Sequence, residues 1–359
     1  MKQTMSSKER VLTAIARQEP DRIPINYFSN DGINARLIEH FGLGKDDCEG
    51  LNKALGVDFR GVGPGYTGPQ LHPDVPGRVV TPWGIRMRWI EHSTGGYWDY
   101  CDFPLKDADL ETIRNWPMPS PDAHDYSGIA EACRINKEYC VVAGGAGDGD
   151  IINSTGMIRS MEQVLMDLMT DDEACLCYID RKTGIQLEVL RRTLEAAKGG
   201  IDLMWIGEDL GTQIGPLISL ELFRRHIRPR HQKFVDLAKS FNIPVIIHSC
   251  GSSSWAFDDF IEMGIDAVDT LQPEAKNMAP EYLKKRYGNK LAFHGCISTA
   301  GPMAFGTVEQ AVADARKTME IMMPGGGYLF SPTHAIQDNS PTENVVAIYD
   351  AAKKYGVYA

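Results

Sequence analysis

A histidine and a cysteine two residues apart, His248 and Cys250, end the apolar run PVIIHSC (244–250), and a second cysteine, Cys296, ends the run KLAFHGC (290–296). Alternation along a strand points residues i and i+2 to the same side, so His248 and Cys250 face one way. One imidazole and two thiolates make a three-ligand zinc set that keeps a fourth position for water or substrate. Two thiolates also neutralise the double positive charge of the ion. Such a centre therefore takes a neutral oxygen or a thiolate without a large charge imbalance. Either cysteine alone reads as a small buried thiol, because free cysteine is commonly buried. Their joint placement at strand ends, with Gly251 after one and Gly295 before the other, favours the metal.

Neighbouring strand ends add further polar groups. Glu208 and Asp209 follow the run IDLMWIG (201–207). Adjacent residues point to opposite faces, so one of the pair looks into the site. Glu208 is the expected one, as a fourth ligand or a general acid, with a carboxylate capping the next turn as the plainer alternative. Gln213 and Gln272 read either as lining of the mouth or as surface amides. His294 is in phase with Cys296 and is a partner of a ligand, a substrate contact, or a packed histidine. His334, in SPTHAIQ just past the last strand, sits on a loop where ligand contacts concentrate. Cys175 and Cys177 fall on different faces of a helical pattern and do not share a metal. The glycines 325–327 precede a strand and read as a turn, not a phosphate cradle. Asp122 and His124 with Gly128 lie in a proline-rich connection, and their spacing does not make a cobalamin motif.

These side chains must be held by a scaffold, and the sequence supplies a repeating one. Apolar strand-like runs recur at 23–28, 58–63, 139–145, 201–207, 244–250, 267–272, 290–296 and 327–332. Amphipathic helical stretches such as 222–242 and 308–323 lie between them. Strands alternating with helices imply parallel pairing through crossovers, and eight such units imply a (β/α)8 TIM barrel. An open doubly wound sheet is the alternative. In a barrel the ends of the strands converge on the carboxyl-terminal face, which is where His248, Cys250 and Cys296 sit. The segment 81–100 alternates and contains Gly95-Gly96, so it reads as a β-hairpin inserted in the amino-terminal half of a single domain, 1–359.

Composition narrows the partners. The 359 residues carry a formal charge of −11, with 43% hydrophobic and 24% charged residues. A large core is expected, and neither nucleic acid nor an anionic membrane suits so acidic a chain. The amino terminus reads as a capped amphipathic helix, with Ser6 or Ser7 as cap and Glu9 behind, not as a signal peptide. No apolar run is long enough to span a bilayer. The expected compartment is the cytoplasm, where the eight cysteines stay reduced and available as ligands.

The motifs PDRIPI, GEDLGTQIGPLIS, HSCGS, FHGCIS and PGGGYLFSPTHAIQDNSPTENV resemble the uroporphyrinogen decarboxylase superfamily over essentially the whole chain. The resemblance implies a TIM barrel and one of two chemistries. Decarboxylases of that superfamily are cofactor-free and hold an acidic tetrapyrrole with an arginine-rich segment after the first strand. The matching NYFSNDGINARL has a single arginine. The other branch contains zinc methyltransferases that work with corrinoid proteins, and their His-x-Cys plus distant Cys motif is matched by His248, Cys250 and Cys296. That resemblance implies Zn2+, cobalamin carried on a separate corrinoid protein, a small-molecule methyl donor or acceptor, and a homodimer. A non-enzymatic carrier of a corrinoid or porphyrin is the remaining reading.

Overall fold

The computed structural model describes residues 4–92 and 95–358. Seven strands form one parallel sheet in chain order: β1 (Phe59–Gly61), β2 (Cys140–Gly144), β3 (Leu203–Gly207), β4 (Val245–Ser249), β5 (Ala267–Thr270), β6 (Ala292–Ile297) and β7 (Tyr328–Pro332). β3, β5, β6 and β7 are buried at every residue. That double burial is why they read as continuous apolar runs and not as alternating ones. Registration places His248, Asp269 and His294 side by side on β4, β5 and β6.

The expected strand at 23–28 is cut down to a bridge between Ile25 and Phe330. Pro24 has no N–H to give, and the Ile25 N–H is taken by the Asp58 carboxylate at 2.8 Å, so a regular ladder cannot extend. The segment nevertheless bonds to both edges of the sheet. Phe330 N–H donates to the Pro24 carbonyl and Asn26 N–H to the Phe330 carbonyl, each at 2.8 Å, while Asp58 N–H donates to the Ile25 carbonyl at 2.8 Å. β1 and β7 are thus joined through residues 24–26. Asp58 itself is fully buried and anchors Arg10 and Arg22, each at 2.7 Å.

Ser6 and Glu9 form a capping box on the helix Ser7–Ile15, as their types and spacing require. Within the two helical stretches read from periodicity lie Arg228–Ser240 and Val308–Met322, the second capped by Thr307 and Gln310. Gly325, Gly326 and Gly327 all have positive φ (75°, 73° and 77°) and turn the chain into β7 from the end opposite the site. A side chain at Gly326 would collide with the Gln18 backbone at 2.4 Å, so the turn packs closely there.

Arg86–His92 pairs antiparallel with Gly95–Cys101, and Val79–Val80 adds a third strand to that ribbon. Gly95 and Gly96 open the returning strand; Ser93 and Thr94, between the two strands, lie outside the described residues. A Cβ built on Gly95 would lie 2.3 Å from Asp338 Oδ2, so this end of the ribbon reaches the loop that follows β7. Among the described residues no helix is long and apolar enough to cross a membrane.

Candidate metal centre

His248 and Cys250 come together at the end of β4. Cys250 Sγ lies 3.3 Å from His248 Nε2, and Asp209 Oδ1 lies 3.6 Å from the same nitrogen. One donor atom from each of Asp209, His248 and Cys250 falls within 4.8 Å of the others, a spacing that one ion can bridge. Asp209 is steadied from two directions: Cys250 N–H donates to Oδ1 at 2.8 Å and Asn153 Nδ2 to Oδ2 at 2.7 Å. The imidazole, the thiol and the carboxylate suit zinc, whose preferred donors are nitrogen, sulfur and carboxylate oxygen.

The far side of the His248 ring is equally fixed. His248 Nδ1 lies 2.6 Å from Asp269 Oδ2, and His294 Nδ1 lies 2.5 Å from Asp269 Oδ1, so one carboxylate on β5 joins rings on both neighbouring strands. Burial opposes charge on His248, but the hydrogen bonds to Asp269 and Cys250 outweigh it and hold the ring well above its ordinary pKa. Burial likewise works against the Asp269 carboxylate, and His294 and His248 reverse the balance and bring it down to about 2. Asp269 was legible as an acid inside an apolar strand, which demands a partner when buried.

Of the two carboxylates that end β3, the cavity wall contains Asp209 and not Glu208, which corrects the expectation from strand alternation. Glu208 is fully buried and accepts the N–H groups of Ile151 at 2.8 Å and Ile152 at 3.0 Å. Burial pushes its pKa up to about 8 in spite of those two donors. The chain leaves β3 at Gly207, so the period of two no longer decides which way residues 208 and 209 point.

Cys296 is the last residue but one of β6 and is 1% exposed, and it does not belong to the group of donors within 4.8 Å of one another. Its backbone has φ of 65°, and Gly295 before it has φ of 127° and sits against the Thr270 carbonyl, where a Cβ would be 1.8 Å away. Burial raises the Cys296 thiol far above the usual cysteine range, with the charge of Asp269 adding to it. His294 is fully buried beside Asp269, a ring in the supporting layer and not in the cavity lining. Gln272 Oε1 accepts the Gly251 N–H at 2.7 Å and so braces the turn that follows Cys250. Gln213 is exposed, outside the cavity lining. His334 is exposed on the rim and lines the cavity. Cys175 is buried and Cys177 only partly so, in agreement with different helix faces.

Asp209, His248 and Cys250 open into a cavity of about 510 Å³, within the range of small-molecule sites. Tyr27, Phe28, Phe59 and Trp205 supply aromatic walls. Arg60 is the one arginine or lysine among the lining residues, and it is already committed. Its Nε and Nη2 bind Glu49 at 2.8 and 3.2 Å, and its Nη1 donates to the carbonyls of Val57 and Phe59.

Comparison with known proteins agrees with this architecture. The matched stretches of two curated relatives, both named uroporphyrinogen decarboxylase, cover less than half of either partner. The protein from Thioalkalivibrio sulfidiphilus is 28% identical over 115 residues, 32% of this chain and 31% of that one. The protein from Anaeromyxobacter dehalogenans is 27% identical over 156 residues, 42% of this chain and 39% of that one. A methyltransferase from Methanosarcina mazei has a similar structure, with a TM-score of 0.65 over 98% of this chain and 99% of that one, at 17% identity. The family model of uroporphyrinogen decarboxylase (URO-D) matches residues 102–355, and the chain belongs to that family.

Proposed function

We propose that this protein is a zinc-dependent methyltransferase that moves a methyl group between a corrinoid protein and a small-molecule substrate or acceptor, built on a closed (β/α)8 barrel. The observation that carries the reading is the meeting of His248 Nε2 and Cys250 Sγ at 3.3 Å in the wall of an aromatic cavity. Zinc held there would act as a Lewis acid or thiolate-activating ion. His248 and Cys250 are the core of the ligand set, and Cys296 is the thiolate that the motif adds once a metal charge is present to stabilise its ionised form. Asp209 is the carboxylate nearest the pair. His334, on the rim, contacts the substrate.

The cavity does not suit a polycarboxylate. A porphyrinogen with several acid groups needs free cations, and Arg60 already binds Glu49 and two carbonyls. Corrinoid is expected on a separate protein that approaches the mouth, next to the ribbon where Trp89 and Trp98 are about half exposed. The test is metal analysis of the purified protein followed by methyl transfer to cob(I)alamin, read from the cobalamin spectrum. Zinc near one per chain and methylcobalamin formation from a methylated donor are expected. Loss of uroporphyrinogen III with metal-stripped protein would establish the decarboxylase instead.

A further inference from the structure

A chain of hydrogen bonds runs from the segment that joins β1 to β7 to the face of the metal centre. It begins at a group whose direction cannot be reversed. The backbone N–H of Tyr27 donates to Asn26 Oδ1 at 2.9 Å. A backbone N–H only donates, so the oxygen of the Asn26 amide is on that side and its NH2 is on the other. That NH2 meets His294 Nε2 at 3.1 Å. An amide NH2 also only donates, so His294 Nε2 accepts and the ring proton sits on Nδ1. His294 Nδ1–H then donates to Asp269 Oδ1, 2.5 Å away.

Asp269 receives a second ring on its other oxygen. A single proton on Asp269 would serve one ring only, whereas the carboxylate accepts from both. A bare His248 Nδ1 would place its lone pair against those of Oδ2 at 2.6 Å. Thr270 Oγ1, at 3.1 Å from the same nitrogen, has a rotating hydroxyl that adapts to either arrangement and does not decide between them. His248 Nδ1 therefore carries a proton, and Nε2, which faces Cys250 and Asp209, is the nitrogen left for a metal.

We infer that Asn26 and His294 are positioning residues of the metal centre, which act through Asp269 to keep a proton on His248 Nδ1, so that Nε2 is the nitrogen offered to a metal. Both are almost wholly inaccessible, at 4% and 0% exposure, so solvent does not compete for these bonds. A carboxylate behind a ligating histidine is a general device, and removing such support typically weakens metal binding by about 10- to 100-fold. Here the support reaches one ring and one amide further back. The inference rests on His248 as a metal ligand, but its tautomer can be read without any metal.

The decisive experiment is two-bond 1H–15N correlation spectroscopy of the metal-free full chain labelled at the histidine ring nitrogens. Protonated Nδ1 is expected in both His248 and His294, and a bare Nδ1 in either ring would overturn the inference. Asn26→Leu removes the donor that keeps His294 Nε2 an acceptor, so the ring proton is free to leave Nδ1 and Asp269 loses support for His248. Zinc affinity, measured by competition with a chromophoric chelator, should fall about tenfold or more in Asn26→Leu. Affinity within twofold of the parent in a folded Asn26→Leu variant would overturn it. A parent protein with the expected tautomers that retains no zinc would support the bond chain and defeat the methyltransferase reading alone.

Discussion

Glu208 and Asp209 leave β3 as consecutive carboxylates and meet opposite fates. Glu208 is sealed in the wall, holding two backbone N–H groups, with His231 Nε2 3.5 Å away. Asp150 lies in the same buried layer, pushed up to about 7 by burial and by the charge of Glu208, and Lys182 Nζ donates to the Asp150 carbonyl at 3.2 Å. Asp209 has the same kind of head group, but it opens into the cavity beside a thiol and an imidazole. Both accept amide N–H groups, so what separates the structural from the chemical carboxylate here is the further neighbour: Asp209 alone also has the His248 imidazole and the Cys250 thiol beside it. The layer around Glu208 is closed upon itself, and Asp209 faces the imidazole of His248 and the thiol of Cys250.

The contrast breaks most sharply at the metal. Cys250→Ser and His248→Ala should each weaken zinc binding by about 1000-fold, whereas Glu208→Gln should change it less than about threefold; the measurement is chelator competition. Stability should show the reverse preference. Glu208→Ala strands two buried N–H groups and should cost about 3 kcal/mol in urea unfolding, against under about 1 kcal/mol for Asp209→Ala. Between the two candidate third ligands, Cys296→Ser should lower zinc affinity about 100-fold and Asp209→Asn about tenfold; the opposite order would make Asp209 the resident ligand.

The smallest effect is on pH. Burial raises Glu208 to about 8 in the folded chain from an ordinary value of 4.5. Between those values the folded state keeps a proton that the unfolded state has released, so stability falls as pH rises across that window and levels off beyond it. Glu208→Gln should therefore narrow the difference in melting temperature between pH 5 and pH 8, with a residual slope from Asp150, which is raised in the same direction. An unchanged difference would mean that Glu208 is ionised in the wall.

Much of the scaffold was readable because doubly buried parallel strands advertise themselves as apolar runs, and β2 to β7 each fall within or overlap a run read from the sequence. The run at 23–28 was misjudged in length for a reason of chemistry: Pro24 and the Asp58 carboxylate consume the donors that a ladder needs. His248 and Cys250 were readable because two reactive side chains spaced by two must share a strand face. Alternation admitted only one of Glu208 and Asp209 to the site but could not choose between them, because the strand has ended at Gly207. Asn26 carried no signal of its own. Its role depends on a partner 268 positions away, and a single chain gives no pattern from which such a pairing can be drawn.

Residues 24–26 have a consequence for the order of assembly. They are made before β4, yet both of their sheet partners must be present before they can settle, and Phe330 of β7 is made after β4. A nascent chain that has already produced His248 and Cys250 still lacks the strand that seats Asn26. Metal captured at that stage would meet a histidine free to take either tautomer, so tight loading should await the synthesis of β7.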